Sequence, residues 1–257
     1  MKQMSLFPDE VETKELKLSG VLHDIAVIFR EENEKLRQEA FKKFHQYKYQ
    51  LLLEEEKITM ESIKELIQFS RIFRDLSGPY RKFIERELLE TLKYIVSAKL
   101  RDVNIKKIPH PFYRKDIDRV TDRETKQRFL MVLEIVDFIQ DTLQHKRFRD
   151  SKSGSRKAMA LELAADILNC IGLPELLESV LKSLKSNSPK EVLAALDVLN
   201  EYYNINDNDL NKRSTASVLF DLANRTRDRN ILHIVCGVLC RMGQMTEAQA
   251  IDRLDSL

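Results

Sequence analysis

Apolar residues recur along this chain with the three-to-four residue spacing of helices that bury one face. A first stripe begins near Gly20 with Val21, Leu22, Ile25, Ile28 and Phe29. It pauses over the wholly polar Arg30 to Lys35 and resumes with Leu36, Ala40, Phe41, Phe44, Tyr47 and Leu51, as one long helix or two. Thr59 suits the cap of a helix carrying Ile63, Leu66, Ile67, Ile72, Phe73 and Leu76. Gly78-Pro79 closes it and opens the next, since proline fits a first helical position. That helix carries Tyr80, Phe83, Ile84, Leu88, Leu92, Ile95 and Val96. Residues 102–118, with Pro109-His110-Pro111, read as a loop, and Thr121 with Glu124 matches a capping box before Phe129, Leu133, Val136, Ile139 and Leu143.

Past a second loop, residues 146–157, the helices shorten and become richer in Ala and Leu. Met159–Ile171 stops at Gly172, Pro174 opens the next helix, and Ser188-Pro189-Lys190-Glu191 joins a cap to a first-turn proline and a capping box. Turns at Asn206–Asn208 and helices near Ser214–Ala223, Asp228–Met242 and Thr246–Leu254 complete six helices of about 11–17 residues, expected as three antiparallel hairpins. Residues 156–257 thereby resemble the HEAT and armadillo class of α-solenoids in helix length and turn spacing. The expected fold is all-α: an irregular helical bundle followed by stacked antiparallel hairpins. Its expected parts are a flexible tail (1–18), a long-helix region (19–146), a basic linker (147–157) and the HEAT-like repeats (158–257).

Composition agrees. Only 6 Gly and 6 Pro among 257 residues leave little material for the turns of a sheet protein. The net charge of +2 does not by itself indicate a nucleic-acid partner, but residues 101–157 hold 15 Lys/Arg against 9 Asp/Glu. Lys106, Lys107, Arg114, Lys115 and Arg119 belong to the first loop and its surroundings; Lys146, Arg147, Arg149, Lys152, Arg156 and Lys157 belong to the second. Two basic loops flanking one helix are expected either to meet at one end of the fold and hold phosphates, with Phe112, Tyr113 and Phe148 interleaved, or to be solvated linkers.

The N-terminus carries Gln3-Met4-Ser5-Leu6-Phe7, followed at once by Pro8, Asp9 and Glu10. This pentapeptide resembles the bacterial sliding-clamp-binding motif. The resemblance implies that Leu6 and Phe7 enter an apolar pocket on the clamp, with Gln3 as the polar recogniser and Ser5 as the small middle residue. Met4 stands where that family more often has Leu. The alternative is that Leu6 and Phe7 dock on the protein's own first helix.

Cys170, Cys236 and Cys240 form no disulfide framework and fit a reducing compartment; with no signal peptide expected, the expected location is the cytoplasm. No apolar run reaches the roughly 18 residues that span a bilayer. His233, Cys236 and Cys240 share a helical face, and zinc with Cys170 as fourth ligand competes with the reading preferred here, buried thiols in an apolar helix. Asp137, Asp141 and His145 read as an exposed ion-pair ladder. No glycine-rich phosphate loop, H-E-x-x-H or G-x-S-x-G occurs, so no catalytic residue, metal or cofactor is assigned. The expected function is a non-enzymatic adaptor acting in DNA replication or repair. Alternatives are a scaffold for another protein partner and, on fold resemblance alone, a HEAT-like alkylation-repair glycosylase. That family usually places Trp in its basic groove, and this chain has none.

Overall fold

Eleven α-helices and a short 3-10 segment account for nearly all the structure described, and no strand occurs among the described residues. A computed structural model of the protein describes residues 20–30, 33–54, 58–74, 79–101, 103, 111–145, 154–205 and 211–256. The first stripe divides at its polar patch into α1 (Gly20–Arg30) and α2 (Glu34–Leu53). Asn33 decides the break: its side chain accepts from the N–H groups of Lys35 at 3.0 Å and Leu36 at 3.4 Å. α3 (Met60–Arg74) follows Thr59, whose hydroxyl accepts from Ser62 N–H at 3.3 Å, and α4 (Pro79–Arg101) starts on its proline. Two stripe residues among those described face outward. Val21 and Phe83 are 46% and 58% exposed, because Leu22/Ile25 and Ile84/Leu88 take the buried faces.

The 3-10 turn Arg114–Arg119 leads to α5 (Arg123–Gln144). Its cap is Asp122, one residue later than expected, and the carboxylate accepts from Thr125 N–H at 2.7 Å. A charged acceptor facing the positive end of a helix dipole outcompetes the neighbouring Thr121 hydroxyl. Glu124 turns instead to Arg128, at 2.6 Å.

α6 (Gly154–Ile171) begins five residues before Met159, inside the segment expected as a linker. It ends at Gly172, whose φ of 59° falls in the left-handed region that glycine adopts freely. There follow α7 (Pro174–Ser183), α8 (Pro189–Ile205), α9 (Lys212–Arg225), α10 (Arg229–Arg241) and α11 (Glu247–Asp255), which opens on a Thr246/Gln249 capping box.

One apolar cluster runs from Leu22 to Ala250. α2 packs on α4, α4 on α6, α6 most extensively on α8, and α8 on α10. On the other side α1 meets α3, α3 meets α5, and α5 meets α7. The core therefore does not break at residues 147–157: α6 rests on both α4 and α5. No helix among the described residues is long and apolar enough to cross a membrane.

Candidate nucleic-acid interface

Arg114, from the first loop, lies beside the middle of α5 (22 residues), where it donates to the Leu133 carbonyl at 3.5 Å, and most of the second loop lies outside the described residues. The described candidate cations of the first loop each have a local partner. Arg114 pairs with Asp137, Arg119 with Asp116 at 2.9 Å, and Lys115 lies over the Tyr113 ring at 5.2 Å. Phe112 is not available to stack on a base; it is fully buried against Phe129, ring centroids 4.7 Å apart, and its N–H donates to the Ile171 carbonyl at 3.0 Å. Asp141 approaches Arg71 at 3.9 Å, so this exposed face does carry ion pairs, made across helices rather than along α5.

Arg156 and Lys157 correct the reading of the second loop more sharply. Both are interior. Arg156 is 4% exposed and donates to Glu85 Oε1 at 2.9 Å, to the Ser70 hydroxyl at 2.8 Å and to the Ser70 carbonyl at 3.3 Å. Lys157 donates to Glu191 Oε1 at 3.2 Å. These acids draw the two cations inward and extend α6 toward its N-terminus, so neither side chain is an exposed loop cation, and Arg156 lies away from the surface. Lys106, Lys107, Lys146, Arg147, Arg149 and Lys152 lie outside the described residues, as do Gln3, Met4, Ser5, Leu6 and Phe7.

A different set of cations gathers on one edge. The Lys157–Glu191 pair joins the first turns of α6 and α8, so both helices start there. The end of α7 and the turn into α8 lie between them, carrying Lys182, Lys185 and Lys190. Arg225, at the end of α9, donates to the Leu184 carbonyl and brings the next turn to this edge, with Arg227 and Arg229. Lys182 pairs with Glu178 at 3.1 Å. Lys185, Lys190, Arg227 and Arg229 are exposed and have no ion-pair partner among the described residues. The one acid inside this turn, Asp228, caps α10, accepting from Asn230 N–H at 2.9 Å and Ile231 N–H at 3.3 Å. The positive end of α8 points the same way, and its first residue, Pro189, has no N–H to cap.

Sequence reasoning passed over these residues because they are dispersed across residues 182–229. The run Arg225-Thr226-Arg227-Asp228-Arg229 was the local signal that could have found them. Beside this edge a cleft of about 400 Å³ opens between the end of α5, the start of α6, the end of α7 and the start of α8, with Lys157, Lys182 and Lys185 in its lining.

The zinc reading fails on placement. Cys236 is buried while His233 is exposed, and no group of three or more His, Cys, Asp or Glu that could hold a metal occurs among the described residues. Burial pushes the thiols of the half-buried Cys170 and the buried Cys236 above the usual range. No protein-family model, no curated protein and no solved structure matches this chain.

Proposed function

We propose that this chain is a non-catalytic helical-repeat adaptor, built as a HEAT-like α-solenoid, that holds nucleic-acid backbone along the edge where α6, α8 and α10 begin. Residues Gln3 to Phe7 tether it to a bacterial sliding clamp, giving it a place in DNA replication or repair. The carrying observation is the set of four exposed cations without ion-pair partners among the described residues, Lys185, Lys190, Arg227 and Arg229, on an edge whose acids Glu178, Glu191 and Asp228 are already engaged. Phosphate contacts of this kind position a strand without reading its sequence. The serial packing α2–α4–α6–α8–α10 supports the solenoid reading, because stacked helical hairpins touch only their neighbours. A clamp tether raises the local concentration of DNA, so a modest basic edge suffices.

The test is anisotropy-monitored binding of short DNA at several salt concentrations, comparing the protein with a Lys190→Glu/Arg227→Glu/Arg229→Glu variant. The wild type should lose affinity linearly in log salt. The variant should bind at least about tenfold more weakly, with an unchanged melting temperature. Its salt slope should be shallower by roughly 0.7 to 0.9 for each phosphate that it no longer neutralises. Equal binding by both proteins refutes the edge. In parallel, clamp binding should vanish in Leu6→Ala/Phe7→Ala.

A second reading, a scaffold for another protein, has its own observation. Tyr49, Leu53 and Phe83 are 59%, 81% and 58% exposed on α2 and α4. Loss of a partner on Tyr49→Ser/Phe83→Ser, with DNA binding absent in the wild type, would favour it.

A further inference from the structure

The cleft beside the basic edge contains a buried cation that lacks acceptors. Lys157 is 6% exposed, yet only one of its three N–H donors finds a partner among the described residues, the Glu191 oxygen at 3.2 Å. An ammonium removed from water at such depth calls for more acceptors than that, since desolvation costs several kcal/mol unless its protons are bonded. Glu191 supplies no more of them: its other oxygen accepts from the Ser186 hydroxyl at 2.6 Å. Ser183, 4% exposed, also lines the cleft, and its hydroxyl has no partner among the described residues. Two side chains that are each more than nine-tenths buried thus bring donors to one space of about 400 Å³.

The donors of that space narrow the ligand. Lys157, Lys182 and Lys185 line it; Glu191 pairs with the first and Glu178 with the second, so Lys185 is left without an ion-pair partner among the described residues. A phosphodiester offers two unbridged oxygens, whereas a phosphate monoester offers three acceptor oxygens and carries about 1.5 to 2 negative charges near neutral pH. The geometry points to this cleft as a site for a phosphate monoester, namely the terminal phosphate of a nucleic-acid strand. The strand is the preferred source because Lys185 both lines the cleft and belongs to the basic edge, whose Lys190, Arg227 and Arg229 would carry the backbone onward; a phosphopeptide leaves those cations unused. The assignment rests on the proposed edge and adds to it a preference for strand ends.

Three internally labelled single strands of one sequence test it with the full chain: 5′-phosphorylated, 3′-phosphorylated and unphosphorylated. One phosphorylated strand should bind roughly tenfold tighter than the unphosphorylated one, the scale of one or two charge-assisted hydrogen bonds. Ser183→Ala should remove most of that difference while keeping the affinity for the unphosphorylated strand and the melting temperature. Because Lys157→Gln alone strands Glu191, the paired change Lys157→Gln/Glu191→Gln serves as the second variant and should abolish the difference. Equal binding of all three strands overturns the cleft assignment and leaves the edge standing. No binding of any strand overturns both. Displacement of the phosphorylated strand at equal concentration by a nucleoside monophosphate, or by a phosphoserine peptide, overturns the assignment to strand ends.

Discussion

Replacing Arg156 by Met separates the sequence view of that residue from the structural one. By its neighbours, Arg156 belongs to a run of surface cations; in the fold its guanidinium is enclosed and bonded to Glu85 and to both oxygens of Ser70. Methionine keeps the apolar stem but removes three hydrogen bonds and one charge of a buried pair. Breaking such a pair costs about 3–5 kcal/mol, because the remaining carboxylate stays in a poorly solvated site. Against a total stability of about 5–15 kcal/mol that is a large share. For a chain of this size each kcal/mol is worth roughly 2–4 °C, so the melting temperature should fall by roughly 10 °C. Circular-dichroism melts and urea titrations of Arg156→Met, Glu85→Leu and the double variant would measure it. The double variant should recover more than half the loss, because removing both charges leaves neither one stranded. DNA affinity of the folded Arg156→Met protein should stay within about twofold of wild type, as expected for a side chain outside the interface. An unchanged melting temperature together with lost DNA affinity would refute the argument and return Arg156 to the surface.

Three further outcomes follow. Burial pushes the Tyr203 hydroxyl up to about 12, against the lowering effect of its hydrogen bond to Thr215, and Tyr47 is raised likewise by burial and by Glu65. Since the folded state holds these protons more tightly, their contribution is complete below pH ~10 and is lost as pH climbs toward ~12. Urea midpoints should drop steeply over that window, and Tyr203→Phe should flatten the drop while costing about 1 kcal/mol at neutral pH by leaving the buried Thr215 hydroxyl without its donor. Asp228→Ala removes the cap of α10 and should cost about 1 kcal/mol in urea unfolding. The same change should tighten DNA binding by removing the acid from the edge, and weaker binding would count against that surface. Native thiol labelling with a disulfide reagent at pH 8 should leave Cys170 and Cys236 slow, their thiols raised by burial, with all three cysteines reacting once the chain is unfolded; fast labelling of Cys236 would contradict its place in the core.

Helix positions were largely legible in the apolar spacing and punctuation, because both act locally. Leu22/Ile25, Ile63/Leu66 and Leu92/Ile95 are buried as their stripes require. Pro79, Gly172, Pro174 and Pro189 mark boundaries that backbone geometry alone imposes. The errors came where two local signals competed or where a distant group intervened. Asp122 displaced Thr121 as a cap because a carboxylate is the stronger acceptor at a helix start. α6 began early because Glu85 and Glu191, 71 and 34 residues away in the chain, bind its first two cations.

The candidate interface was much less legible. A run of Lys and Arg is visible in one dimension, but whether each charge faces water or a carboxylate is set by packing. Arg114, Arg119, Arg156 and Lys157 all acquired acidic partners in the fold. Lys185, Lys190, Arg227 and Arg229 acquired none among the described residues, and share an edge because α6 and α8 start at the same end and Arg225 binds the turn after α7. The helical character of the chain, the limits of most helices and the placing of their apolar faces follow from the residue pattern, since each depends on groups within a few positions of one another. Which charges remain available to a partner follows only from the folded arrangement, because ion pairing and burial depend on groups far apart in the chain that folding brings within a few ångströms.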